Sequence, residues 1–145
     1  MMEDTRFSSA IHMLILISEA EEPMSSEEIA VSVGTNSSHI RKIAGLLKKD
    51  GIIGSNQGSK GFSIRVDPKE LSMFRIYKAV NETDHVRLFE IHRNPNDECI
   101  VGRHIGPVLN EMYSDMVSKV EAEMSSTTLY DCMQKMREKI QEGIE

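Results

Sequence analysis

Residues 24–66 constrain this chain more than any other stretch. Two short helical patterns are separated by Gly34-Thr35, and a glycine-punctuated hairpin follows at once. Ser25 and Glu28 have the spacing of a capping box, in which a hydroxyl and a carboxylate satisfy orphan amides reciprocally. Ile29, Ala30 and Val33 then recur at helical spacing. Gly34 ends that helix, where a left-handed residue is expected and a side chain is disfavoured. Asn36 or Ser37 starts the next helix. Its apolar face is Ile40, Ile43, Ala44, Leu46 and Leu47, and its other face carries Ser38, Arg41, Lys42, Gly45, Lys48 and Lys49. A helix-interior glycine costs about 1 kcal/mol against alanine, so Gly45 marks close packing or a tolerated weakness. After Asp50-Gly51, residues 52–53 and 62–66 read as short strands. The Asn56-Gln57-Gly58-Ser59-Lys60-Gly61 run between them is too polar to pack. That order of elements is a winged helix-turn-helix, with one helix free to enter a DNA major groove and a loop beside it.

Charge sharpens the reading. The chain has a net charge of −6, which opposes nucleic-acid binding only if charge is spread evenly. Residues 36–66 carry Arg41, Lys42, Lys48, Lys49, Lys60 and Arg65 against the single anion Asp50. A local basic face on an acidic body is how an acidic protein meets phosphates. A solvated lysine-rich helix face is the plainer alternative. Arg41 and Lys42 are candidates for guanine edges or phosphates, and Lys48 adds to that face. Asn36, Ser37, Ser38 and His39 crowd the helix N-terminus, where they can bond bases or phosphates. His39 adjoins Ile40, so partial burial is its other reading. Lys60 in the wing is a candidate phosphate contact beside a minor groove.

The remaining segments are mostly helical. Residues 5–20 carry Phe7, Ala10, Ile11, Leu14, Ile15 and Ile17 on one broad face, with Asp4 or Thr5 as cap and a stop before Pro23. Asp67-Pro68-Lys69-Glu70 reads as another helix start. Residues 86–91 are expected to form a short strand. From Ile100 the pattern is helical again, and Pro107 implies a start near Ile105 or a kink there. Ile105, Leu109, Met112, Met116 and Val120 form a stripe too long and apolar for a lone exposed helix, which points to a two-fold dimer. The methionines of this region suit an adaptable interface, with a ligand groove as the second reading. The expected fold is therefore mainly α with a small β-hairpin wing: a winged helix-turn-helix over residues 1–80, then a linker and helical dimerisation region over residues 81–145.

This layout resembles the Rrf-two family of bacterial winged-helix transcriptional regulators over nearly the whole chain. R-F-S-S-A-I-H-M-L is similar to the family's first helix. S-S-E-E-I-A and T-N-S-S-H-I-R-K-I-A-G-L-L-K-K-D-G-I-I are similar to its two-helix reader, and G-S-K-G-F-S-I to its wing. D-P-K-E-L-S-M-F-R-I-Y-K-A-V and N-D-E-C-I-V-G-R-H-I-G-P-V-L are similar to the next helix and to the start of the dimerisation helix. The resemblance implies a homodimer whose long helices cross, with the helix of residues 37–49 in the major groove and the wing near the minor groove. Some members hold an iron–sulfur cluster on three cysteines ahead of the long helix. Here Cys99 alone matches the last of them, and the ligating histidine's position is Gly102, so no cofactor and no metal are expected.

Cys99 lies ahead of a helix, where the dipole lowers a thiol pKa, while Asp97 and Glu98 oppose that effect. It is the candidate redox sensor. His92 and His104 flank it too loosely to make a metal site. Cys132, between Leu129, Met133 and Met136, reads as core. No phosphate loop, nucleophile–base pair or catalytic carboxylate pair stands out, so an enzyme is not expected. The longest apolar run, residues 13–17, is too short to span a bilayer. With no cationic apolar leader, a cytoplasmic location is expected. Two functions stay open. One is a sequence-specific DNA-binding regulator, a repressor acting as a homodimer on a palindromic operator and controlled by a thiol. The other is a winged helix used only for protein–protein contact. The inducing signal, small molecule or redox, is not written in the sequence.

Overall fold

The computed structural model describes residues 4–55 and 61–144. Six helices are observed: α1 (Arg6–Glu19), α2 (Ser26–Val33), α3 (Ser37–Lys49), α4 (Met73–Asn81), α5 (Ile100–Ser126) and α6 (Leu129–Ile144). Two strands, β1 (Ile53–Ser55) and β2 (Phe62–Ile64), lie between α3 and α4.

Local chemistry sets the helix-turn-helix. The Ser25 hydroxyl accepts from the Glu28 N–H, and the Glu28 carboxylate accepts from the Ser25 N–H, so the capping box forms in full. Gly34 is left-handed at φ 82°, as the stop of α2 requires. Asn36 caps α3, its side-chain oxygen accepting from the His39 N–H at 2.8 Å. Ile40, Ile43 and Leu47 are fully buried in the core, where α3 packs on α2, α4 and α1. Each such side chain contributes about 2 kcal/mol of burial, which fixes the rotation of α3 and sends its opposite face outward.

The hairpin pairs β1 with β2 antiparallel in the register Ile53↔Ile64, Gly54↔Ser63 and Ser55↔Phe62. Met24, just before α2, adds an isolated bridge to β2: the Phe62 N–H donates to the Met24 carbonyl at 2.8 Å. A Cβ on Gly61 would stand 2.9 Å from the Met24 backbone, so the hairpin's return needs glycine at that point.

Two expectations are corrected, and a third loses one of its two alternatives. Pro68 does not open α4. Asp67 does cap, accepting from the Lys69 N–H, but only a single 3-10 turn forms at Pro68–Glu70 before Leu71 turns extended. The cause lies far along the chain. The Met73 N–H donates to the Thr127 carbonyl and the Leu129 N–H to the Leu71 carbonyl, both at 2.8 Å, and that pairing pulls the backbone off the helix. Ser72 then recaps, accepting from the Arg75 N–H. Residues 86–91 form no strand, because no strand lies beside them. They run along α5 instead: the Val86 N–H donates to the Glu121 carboxylate at 2.9 Å, and Phe89 packs on Tyr113 at 4.9 Å between centroids. Finally, of the two readings of Pro107 the start near Ile105 is excluded: α5 begins at Ile100 and continues through Pro107. Proline there removes one helical bond to the Arg103 carbonyl, and both residues are exposed, where solvent can take up the oxygen.

Leu129 and Met133 of α6 join the same core as α1–α4. By contrast, α5 spans 27 residues, about 40 Å at the helical rise, and buries none of them.

Candidate nucleic-acid interface

The outward face of α3 is exposed at Ser38, Arg41, Lys42, Gly45, Lys48 and Lys49. The fold brings these residues to one face because the three- and four-residue spacing that buries Ile40, Ile43 and Leu47 sends them to the opposite side. Asn36, exposed, and Ser37 and His39, half-buried, lie at the N-terminal end of α3. His39 is thus the partly buried residue of its second reading. It lines a polar hollow of about 330 Å³ with Thr5, Ser8, Ser9, His12 and Thr35, at the corner where α1 meets the start of α3. Sequence reasoning did not bring α1 to that corner. Thr5 is legible only as a candidate cap, and nothing local marks Ser8 or Ser9.

Several cations of the face already have partners. Arg41 meets Glu27 at 3.4 Å, with both side chains more than half exposed. The Lys48 ammonium donates to the Ser55 hydroxyl at 3.3 Å and ties the helix to β1. Lys42 and Lys49 form no ion pair with a described residue. Asp50, the one anion within residues 36–66, is taken up by Arg75 of α4. The guanidinium donates to its carboxylate and to its backbone carbonyl, each at 2.9 Å, so the negative charge is paired with a cation from α4. Lys60, with Asn56 and Gln57, lies outside the described residues. A Cβ on Gly45 would meet nothing within 4 Å, so close packing inside the chain is not its explanation.

On α5, Val101, Val108, Met112 and Met116 are exposed and Ile105 is half-exposed, all on one face at spacings of three and four. Leu109 and Val120 are half-buried at its border. The neighbouring face, at Tyr113 and Glu121, is the one covered by residues 85–89.

Cys99 is the N-cap of α5 and is exposed. The N–H groups of Gly102, first, and of Val101 point at its sulfur and lower its pKa, while Asp97 and Glu98 are not among the groups that shift it. Gly102 is forced by a close approach, because a Cβ there would run into the Asn96 carbonyl. Cys132 is half-buried on α6 and packs against the core.

A buried helical triad, a cationic outward helix and a hairpin at its flank define a winged helix-turn-helix protein. The chain belongs to the Rrf2, or Rrf-two, family of transcriptional regulators: the family model described as iron-dependent transcriptional regulator matches residues 4–135. It is 40% identical over 132 residues to YwnA of Bacillus subtilis strain 168, a protein provisionally named as an HTH-type transcriptional regulator, covering 91% of this chain and 97% of that one. A crystal structure of a protein provisionally described as DNA-binding superposes with a TM-score of 0.73 at 38% identity, over 88% of this chain and 98% of that chain. The oxidised form of CymR from Staphylococcus aureus shares the fold, with a TM-score of 0.69 at 20% identity over 92% and 96% of the two chains.

The family description raises iron, and the donor set here does not fit an iron–sulfur cluster. The chain's two cysteines lie on different helices, with Cys132 packed against the core, and Gly102 has no room for a ligating side chain. Among the described residues no three His, Cys, Asp or Glu side chains gather as a metal ion needs. No helix among them is long and apolar enough to cross a membrane.

Proposed function

We propose that the chain is a homodimeric repressor that reads a palindromic DNA operator with α3. The observation that carries this is the outward face of α3, where Arg41, Lys42, Lys48 and Lys49 are all exposed and outnumber the two nearby anions, Glu27 beside Arg41 and Asp50 held by Arg75. In this reading Arg41 and Lys42 meet base edges or phosphates, and Asn36, Ser37, Ser38 and His39 approach the duplex at the helix start. Lys48 contacts phosphate, and Lys60 supplies a wing contact. The dimer forms through α5, where Ile105, Leu109, Met112, Met116 and Val120 meet the partner's copies, so that residues 81–145 assemble the protein and residues 1–80 read DNA. Residues 129 and 133 make α6 the tie between the two parts, since both are buried in the reader's core.

Cys99 is the site of thiol control in this scheme. It caps the helix that joins the protomers, so oxidation there acts at the base of the dimer and changes the relation of the two readers. Peroxide is expected to change the DNA affinity of the parent and to leave that of Cys99→Ser unchanged.

The test of the main reading is selection of duplexes from a randomised pool by the full-length protein, with sedimentation of the bound species. The expected result is a dimer on two inverted half-sites about 34 Å apart, one helical turn. Recovery of no preferred duplex by a protein that instead captures other proteins would favour a winged helix used for protein contact. A monomer at micromolar concentration would remove the palindrome.

A further inference from the structure

We infer that Gly45 is the point at which α3 lies closest to the DNA sugar–phosphate backbone. The inference rests on the reading of α3 as the DNA-facing helix and extends it to a residue with no side chain.

Glycine is the poorest helix former after proline, yet Gly45 occupies the interior of a 13-residue helix. Two reasons internal to a chain can require glycine at such a place. One is a positive φ, which Gly34 and Gly51 have and Gly45 does not. The other is a close approach by the chain itself, as at Gly61 and Gly102, where a Cβ would strike backbone atoms. At Gly45 a Cβ would meet nothing within 4 Å, and the residue is exposed. Gly106 of α5 and Gly143 of α6 also have nothing within 4 Å, so open space alone does not single out Gly45; its place among cations does, and that place favours an approach from outside the chain over a tolerated weakness.

The position says what approaches. Gly45 sits one turn after Arg41 and Lys42 and one turn before Lys48 and Lys49, at the centre of the cationic face. Bare helix backbone lies about 2.3 Å from the axis, whereas side chains extend the cylinder to a radius of about 5–6 Å. A glycine flanked by cations is thus a notch in a positively charged wall. A polyanionic ridge fits that notch, with the lysines and arginine closing on its phosphates from either side. The helix N-terminus reads bases in such motifs, which leaves the third turn to the backbone bordering the groove.

The experiment measures equilibrium binding of the full-length protein to two duplexes, one selected by the parent from a randomised pool and one of unrelated mixed sequence. Parent, Gly45→Ala, Gly45→Leu and the Arg41→Glu/Lys42→Glu double variant are compared, each with its thermal midpoint and sedimentation coefficient. Alanine improves the helix, so Gly45→Ala is expected to melt about 3 °C higher than the parent. The same variant is expected to bind both duplexes about tenfold more weakly, because its methyl group stands where the backbone must sit. Gly45→Leu should fold, sediment as the parent does and lose binding to both duplexes. If both Gly45 variants bind like the parent while the double variant does not, the notch is refuted and the reader helix stands. If all variants bind like the parent, the reader helix itself is refuted. Loss confined to the selected duplex would refute the sugar–phosphate assignment, since a base edge would then be the neighbour. A lower melting point for Gly45→Ala, or an altered sedimentation coefficient for Gly45→Leu, would show a structural role instead.

Discussion

Cys99 shows how a few backbone atoms set one side chain's chemistry. Its thiol pKa is lowered by the Gly102 and Val101 N–H groups, and the sulfur is exposed. A lowered folded pKa means that the thiolate persists in the folded chain at pH values where the unfolded chain already carries a thiol. Any stabilisation it gives is present above the unfolded thiol's pKa and is lost as pH falls through the folded one. The rate of alkylation at Cys99 should therefore rise at lower pH in native protein than in urea, and Cys99 should label before Cys132. Equal pH profiles in the two states would contradict the geometry. At this scale the sequence is legible wherever the cause is local. The caps at Ser25 and Asn36 and the left-handed Gly34 depend on neighbours within a few positions, and all three form as their spacing predicts. The Arg41–Glu27 pair depends on how α2 and α3 dock, and the Asn96 carbonyl over Gly102 on how the turn before α5 folds back. No local pattern announces them.

Among the elements, α2 is short and leans on its cap. With only eight residues it is below the length at which helices are stable alone, so its N-terminal box carries a large share of its order. Ser25→Ala should lower unfolding free energy by about 1 kcal/mol in urea denaturation and, by loosening the α2–α3 corner, weaken DNA binding modestly. No change in midpoint would mean that the box is redundant. The periodicity of α1, α3 and α5 is legible because a buried face needs spacings of three and four. The 3-10 turn at Pro68–Glu70 was not, although its local signals favour a helix. Tertiary pairing of residues 71–73 with 127–129 overrides them, a contact between segments more than fifty positions apart. Residues 86–91 mislead in the same way. Their short apolar-rich run matches a strand, but what they cover is one side of α5.

For the whole molecule, the unequal treatment of α5 and α6 is decisive. Both carry apolar stripes, but α6 anchors Leu129 and Met133 in the core while α5 leaves Val101, Val108, Met112 and Met116 open. Contiguous exposed apolar surface of this kind marks an interface. Met112→Asp should place a carboxylate in the middle of that stripe without disturbing the core, and should weaken self-association by more than about tenfold in sedimentation equilibrium. A parent protein that is monomeric at micromolar concentration would end the dimer proposal. The charge distribution belongs to this scale as well. A net charge of −6 repels DNA at a distance, so binding depends on the orientation that presents α3 first.

The central claim is that α3 is the surface that meets DNA, and it is tested most directly by reversing its charge. Arg41 and Lys42 are exposed and lie outside the core, so Arg41→Glu with Lys42→Glu should keep the parent's melting point and dimer mass. Binding of this double variant and the parent to the parent-selected duplex should be titrated at several salt concentrations. The account predicts a loss of about a hundredfold or more at low salt, with a shallower dependence of the remaining affinity on salt, as expected when phosphate contacts disappear. A folded, dimeric double variant with the parent's affinity and salt dependence would contradict it.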